Sequence, residues 1–257
     1  MTRVATLPVA GLLILLATGC AGMQYERSVL PTGLAGPMPA IHEEHRTEIT
    51  PQRVWLTREY LRLHNPAALA ALPPGDGAEA IRFTPRMIVV HYTAIPTLEE
   101  TLETFAGPHI DQDRELVRRN GLLNVGIQFV VDRDGTLYAL YPETAIARHV
   151  IGLNHVAIGI ENVGDGELGA SGAAAPLTEA QLAANVALVR YLAGRYPTIR
   201  YVIGHHEYRR VERPGHPAHA LFHEANPTYR TEKSDPGPRF MKRLHRALRA
   251  AAQEARS

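Results

Sequence analysis

The sequence predicts an α/β fold: a mixed central β-sheet flanked by helices, carried behind an N-terminal extension. Three observations predict it. Short, β-branched apolar runs recur, as in "MIVVHY" (87–92) and "AIGIE" (157–161). Between them lie segments whose apolar residues return every three or four positions, the spacing of an amphipathic helix. Histidines and acids stand where the apolar runs end, and functional residues in α/β sheets gather outside strand ends.

The elements follow in order. "TPQRVWLTREYLRLHNP" (50–66) spaces Val54, Leu56, Tyr60 and Leu63 as a helix, with Pro66 expected to stop it. "LPPGDGAEA" reads as a turn-rich linker. Met87 to Val90 are apolar without interruption, which suits a strand buried on both faces. "TLEETLETFAG" reads as a short helix with Thr97 as N-cap and Gly107 near its end. "VGIQFVVDRDGTLYAL" reads as a hairpin turning at Asp-Arg-Asp-Gly. "HVAIGIENVG" is a further strand. Leu177 to Arg195 form a long amphipathic helix opened by Thr178, with Gln181 at capping-box spacing. "IRYVIGHHE" is a strand ending in histidines, and "GPRFMKRLHRALRAAAQEA" is a last helix with Pro238 near its start. No internal repeat is present.

The chain has 257 residues, enough for one sizeable core, and its 45% hydrophobic and 21% charged content is ordinary for a globular protein. A formal charge of +1 gives no strong field for nucleic acid or an anionic membrane surface. The N-terminus reads differently from the rest. "MTRVATLPVAGLLILLATGC" has Arg3, an apolar run from Leu7 to Ala17, then small residues, which is the outline of a secretory signal. "LLATGC" resembles the bacterial lipobox, and Cys20 is the single cysteine of the chain. On that reading residues 1–19 are a signal peptide, and Cys20 carries lipid. Each buried acyl methylene then contributes ~0.8 kcal/mol to membrane attachment. No thiol remains for a disulfide, nucleophile or thiolate ligand. Ala21 rather than an acid follows, which resembles outer-membrane sorting, so the expected location is the cell envelope, facing the periplasm. Residues 20–50, rich in Pro, Gly and polar residues, read as a tether. Residues 51–80 read as a helical extension and linker, and 81–252 as the main domain.

Chemistry collects at His91, Glu161, His205, His206 and Asp235. A lone histidine at a strand end is more often a satisfied core residue than a ligand. Two strands each delivering a histidine, with one loop delivering an aspartate, suit Zn²⁺ with a fourth position open to water. Such an ion can lower the pKa of bound water to roughly 7.

The ordered set "IVVHYTA", "QFVVDRDGTLYAL", "IGIENVG", "VIGHHEY" and "KSDPGPRF" resembles the zinc-dependent N-acetylmuramoyl-L-alanine amidases of the type-2 family, whose fold is shared by T7 lysozyme and the peptidoglycan recognition proteins. The resemblance covers about residues 85–247. It implies His91, His205 and Asp235 as zinc ligands, with His206 the rival of His205. It implies Glu161 as the acid that assists the water and Lys233 as the stabiliser of the oxyanion. The reaction implied is hydrolysis of the amide between N-acetylmuramic acid and L-alanine of peptidoglycan. A monomer is the expected state. His149 and Asn154 are candidate substrate contacts. Asn154 has a turn-closing role as its alternative. Gln128 and Ile127 depart from the histidine and tyrosine that relatives carry there. The segment 207–232 is longer than in many relatives and holds His216, His219 and His223, which read as incidental to a Pro-rich loop or as a second metal patch. The alternative function is a muropeptide-binding lipoprotein of the same fold without hydrolysis.

Overall fold

The computed structural model describes residues 28–165 and 176–256. The expected signal segment 1–19 and Cys20 lie outside the described residues. Strands β1 (Met87–Tyr92), β2 (Phe129–Val131), β3 (Leu137–Ala139), β4 (Ala157–Asn162) and β5 (Tyr201–Gly204) form one sheet in the order β3-β2-β4-β1-β5. β2, β4, β1 and β5 run parallel, and β3 is antiparallel at one edge. The sheet is therefore mixed, as the pattern predicts. Helices are α1 (Pro51–His64), α2 (Pro66–Ala71), α3 (Leu98–Ala106), α4 (Glu115–Arg118), α5 (Glu179–Arg195), α6 (Tyr208–Val211) and α7 (Pro238–Glu254). Among the described residues no helix is long and apolar enough to cross a membrane.

Side-chain alternation along β1 builds the two sides of the core. Ile88 and Val90 face one layer, packed with Leu188, Val189 and Leu192 of α5 and Leu244 and Leu248 of α7. Met87 and Val89 face the other, packed with Leu56 and Tyr60 of α1 and Tyr208 and Val211 of α6. All are at most 3% exposed, and each such side chain stabilises the fold by about 1.5–3 kcal/mol. His91 is two residues beyond Val89, so it emerges on the α1–α6 side.

Local chemistry sets the element ends. Thr178 Oγ1 accepts from Gln181 N, and Gln181 Oε1 accepts from Thr178 N, closing the expected capping box of α5. Thr50 and Thr97 cap α1 and α3 by the single bond of the side chain, accepting from Arg53 N and Glu100 N. The hairpin turns where Gly135 takes φ 90°, a conformation that costs glycine little.

The first helix ends where Pro66 is expected to stop it: α1 closes at His64, and Asn65 leaves the helical conformation at φ −153°. Pro66 then opens α2 at its first position, where a missing N–H costs nothing, and Asn65 Oδ1 caps that helix by accepting from Ala68 N. One expectation changes. The described part of the tether, residues 28–50, is not a free spacer. Val29 bridges Tyr201 on one sheet edge, and His42 bridges Tyr138 on the other. Leu30 and Leu34 are buried in the α5–α7 layer. Edge strands offer unpaired backbone groups, and this strap supplies partners: Leu30 N donates to Arg200 O at 2.9 Å and Ala139 N to His42 O at 2.8 Å.

Candidate metal centre and active site

Parallel pairing brings three strand ends to one rim. The register pairs His91 with Glu161 and Val90 with Gly204, so the C-terminal ends of β4, β1 and β5 lie side by side. His205 follows Gly204 directly, but it opens a 3₁₀ turn (His205–Glu207) rather than extending the strand. That turn settles the rivalry between the adjacent histidines. His205 points inward and is 6% exposed, whereas His206 grips the main chain of Asp235, through its N–H (2.9 Å) and Nδ1 (3.0 Å) to the Asp235 carbonyl.

The Nδ1 atoms of His91 and His205 stand 3.0 Å apart, and Asp235 Oδ2 lies 3.1 Å from the first and 3.0 Å from the second. Ligand atoms held 2.0–2.1 Å from a tetrahedral zinc are about 3.3 Å apart, so this triangle matches such a site to within a few tenths of an ångström. The donor set of two imidazole nitrogens and one carboxylate oxygen also fits. This is the one such group of three among the described residues. His216, His219 and His223 do not form a second. His216 Nδ1 instead accepts from Ala218 N, and His223 stacks edge-on against His155.

Protonation supports the same reading. Burial holds the His205 imidazole down to about 4, so it is neutral at physiological pH, with a free lone pair. Burial alone would raise the Asp235 carboxyl, but His205 and His91 beside it outweigh burial and hold it far below the usual carboxylate range. Glu161 behaves oppositely. Burial first, and the nearby Asp235 charge second, raise its pKa well above the ordinary value, opposed by the positive charges of Lys233 and Arg114. Its Oε2 is buried without a hydrogen-bond partner among the described residues. A carboxyl so placed is suited to exchanging a proton.

Glu161, Lys233, Arg114 and the three candidate ligands line one cleft of about 430 Å³. Lys233 is exposed at its mouth. The segment bearing it is anchored by Ser234 Oγ, 2.7 Å from Tyr92 Oη. A larger cavity of about 520 Å³ lies between residues 45–53 and α3, but it holds no comparable cluster, so chemistry rather than size selects the site.

The profile of the family described as N-acetylmuramoyl-L-alanine amidase (Amidase_2) matches residues 82–238. The chain belongs to this family. The matched span contains all three candidate ligands, Glu161 and Lys233. A curated endolysin of Enterobacteria phage K11 is 33% identical over 95 residues, which are 37% of this chain and 61% of the endolysin. The match thus spans less than two thirds of that relative. Among solved structures, the endolysin amidase LysCS of Clostridium intestinale is 25% identical and covers 73% of this chain and 95% of its own, with a TM-score of 0.41. AmpDh3 of Pseudomonas aeruginosa, solved with an anhydromuramic pentapeptide, is 21% identical and covers 63% of this chain and 59% of its own, also at 0.41.

The two candidate substrate contacts separate. Asn154 is 3% exposed and closes a turn. Its Oδ1 accepts from His149 N (2.9 Å) and Val150 N (2.8 Å), and its Nδ2 donates to Tyr60 Oη (3.2 Å). These bonds give Asn154 the turn-closing role that stood as its alternative, at the edge of a crevice it shares with His149 and Lys233. His149 does line the cleft, with Nδ1 3.0 Å from His91 Nε2.

Residues to which sequence reasoning gave no role complete the frame. Gln128, the departure from relatives, is fully buried. Its Nε2 donates to Ala145 O (2.8 Å), and its Oε1 accepts from Gly159 N (2.7 Å). Asn162 Nδ2 donates to the His91 carbonyl at 2.9 Å and fixes the strand end. Arg148 is 3% exposed and donates to four carbonyls of residues 117–123 and to Tyr229 Oη. Tyr208 Oη donates to Thr231 O (2.6 Å) and accepts from Thr231 N (2.8 Å), tying together the ends of the long 207–232 segment. Tyr229 and Thr231 of that segment wall a crevice beside His149 and Lys233. No local pattern announces these roles, because each partner is distant in sequence.

Proposed function

We propose that this protein hydrolyses the amide bond between N-acetylmuramic acid and L-alanine of peptidoglycan, with zinc as its metal. The observation that carries the reading is the meeting of His91, His205 and Asp235 at one rim, beside Glu161 and Lys233, in a chain of the amidase family. A muropeptide-binding protein without hydrolysis has no need of the complete set. One chain supplies every member, which supports action as a monomer.

His91 and His205 would hold the ion through Nδ1, and Asp235 through Oδ2. Zinc, when bound, supplies Lewis acidity enough to polarise an amide carbonyl and acidify a water. The protein's own residues do the rest. Glu161, with Oε2 free of other partners among the described residues, accepts the proton of the attacking water and passes it to the departing alanine nitrogen, acting as base and then acid. Lys233, at the cleft mouth, presents its ammonium to the negative charge that grows on the amide oxygen. Loss of one such donor typically costs about 10²–10³ in rate. The lipobox-like "LLATGC" supports anchoring through Cys20 in the cell envelope, facing the periplasm.

The test is mass spectrometry of muropeptides digested by wild type and by Glu161→Gln, each with and without chelator. Glu161 is not a ligand, so the variant should retain zinc and lose about 10²–10⁴ of turnover. Full turnover in that variant, or chelator-resistant cleavage by wild type, refutes the proposal.

A further inference from the structure

We propose that His149 is a positioning residue of the metal centre: it fixes the tautomer of His91 that leaves Nδ1 unprotonated and free to ligate. The inference rests on the zinc amidase reading and assigns His149 a different role from the substrate contact expected of it.

The argument follows the protons. His91 Nδ1 faces Asp235 Oδ2 and His205 Nδ1, so it is the ligating atom. A ligating ring nitrogen carries no proton, and a neutral His91 must then carry its proton on Nε2. Nε2 faces His149 Nδ1 at 3.0 Å. A hydrogen bond between two neutral imidazoles needs a proton on one nitrogen and a lone pair on the other. The far side of the His149 ring decides which. His149 Nε2 lies 3.3 Å from the Ala157 carbonyl oxygen, which can only accept. The His149 proton therefore sits on Nε2, and its Nδ1 offers the lone pair. His91 donates to it through Nε2–H, and His91 Nδ1 is left bare toward the ligand triangle. A backbone carbonyl at the start of β4 thus dictates the protonation of a ligand at the end of β1.

Two further features fit this role. The His149 ring stands edge-on to His91, with centroids 5.1 Å apart and planes at 83°, and its main chain is held by Asn154. Space for the ring is made by Gly159: a Cβ there would stand 2.9 Å from His149 Nδ1 and 3.0 Å from Cε1. Partners of ligating histidines usually matter 10–100-fold for metal affinity.

The experiment measures Zn²⁺ affinity of the full chain by chelator competition, and the Co²⁺ absorption spectrum, for wild type, His149→Phe and His149→Gln. His149→Phe removes the acceptor. It should weaken Zn²⁺ binding about 10–100-fold and alter the Co²⁺ spectrum. His149→Gln keeps an acceptor oxygen and should recover most of that affinity. An unchanged Zn²⁺ affinity in His149→Phe, with the effect confined to KM, overturns the inference in favour of a substrate contact. Should His149→Phe fail to fold, ¹⁵N chemical shifts of the wild-type zinc form decide. Protons on Nε2 of both His91 and His149 are expected, and a proton on His149 Nδ1 overturns the inference. A wild-type chain that binds no Zn²⁺ instead removes the amidase reading on which it rests.

Discussion

Replacing Gly159 with alanine tests whether the packing behind the site sets the quality of the metal centre. Gly159 lies in the middle of β4, paired with Val89 of β1. An added Cβ would collide with Ile127 Cδ1 and stand 2.9 Å from His149 Nδ1, both well inside contact distance. Ile127 is 0% exposed and enclosed, so its methyl has little room to retreat. Overpacking of this kind costs about 1–3 kcal/mol. At about 2–4 °C per kcal/mol for a domain of this size, the melting temperature should fall by roughly 2–12 °C. The second consequence is chemical. Relieving the contact pushes the His149 ring from its place between His91 and the Ala157 carbonyl, so Zn²⁺ should bind about tenfold or more weakly. Calorimetry of the chelated protein reads the first effect, and chelator competition reads the second. A variant that melts as wild type and binds Zn²⁺ as tightly would refute the packing argument at its root.

Other consequences follow from the same contacts. Tyr208→Phe removes the hydroxyl that satisfies both the N–H and the carbonyl of Thr231 in a partly buried setting, which should cost about 1–3 kcal/mol. Limited proteolysis should then cut residues 207–232 faster, and an unchanged cleavage rate counts against the clamp. Acid should destabilise the chelated protein over a defined window. Burial, with a smaller contribution from His223, lowers His155 to about 4, and burial, with His219 and Arg210, does the same for His216. Both histidines titrate near 6.5 when unfolded. Between about pH 4 and 6.5 the unfolded chain therefore binds more protons than the native one, and stability falls as pH falls through that range. A melting temperature that stays flat from pH 6.5 to 4 would contradict it.

The sequence by itself determined the sheet, the long helices and the identity of the chemical groups. These depend on local periodicity and caps: the unbroken apolar run of Met87–Val90, the Thr178–Gln181 box, and the Pro238 start of α7. The resemblance of short motifs to the amidases added which groups belong together. Only the tertiary structure decided that His205 rather than His206 faces the site, because a 3₁₀ turn replaces the last step of the strand. The same holds for Asn154, whose amide is committed to a turn and to Tyr60, and for residues 28–50, which strap both sheet edges. Sequence patterns report which face of an element meets the core. They carry no record of which distant carbonyl, edge or ring fills the remaining space, because a side chain's final hydrogen-bond partner is set by parts of the chain that approach only once the sheet has formed.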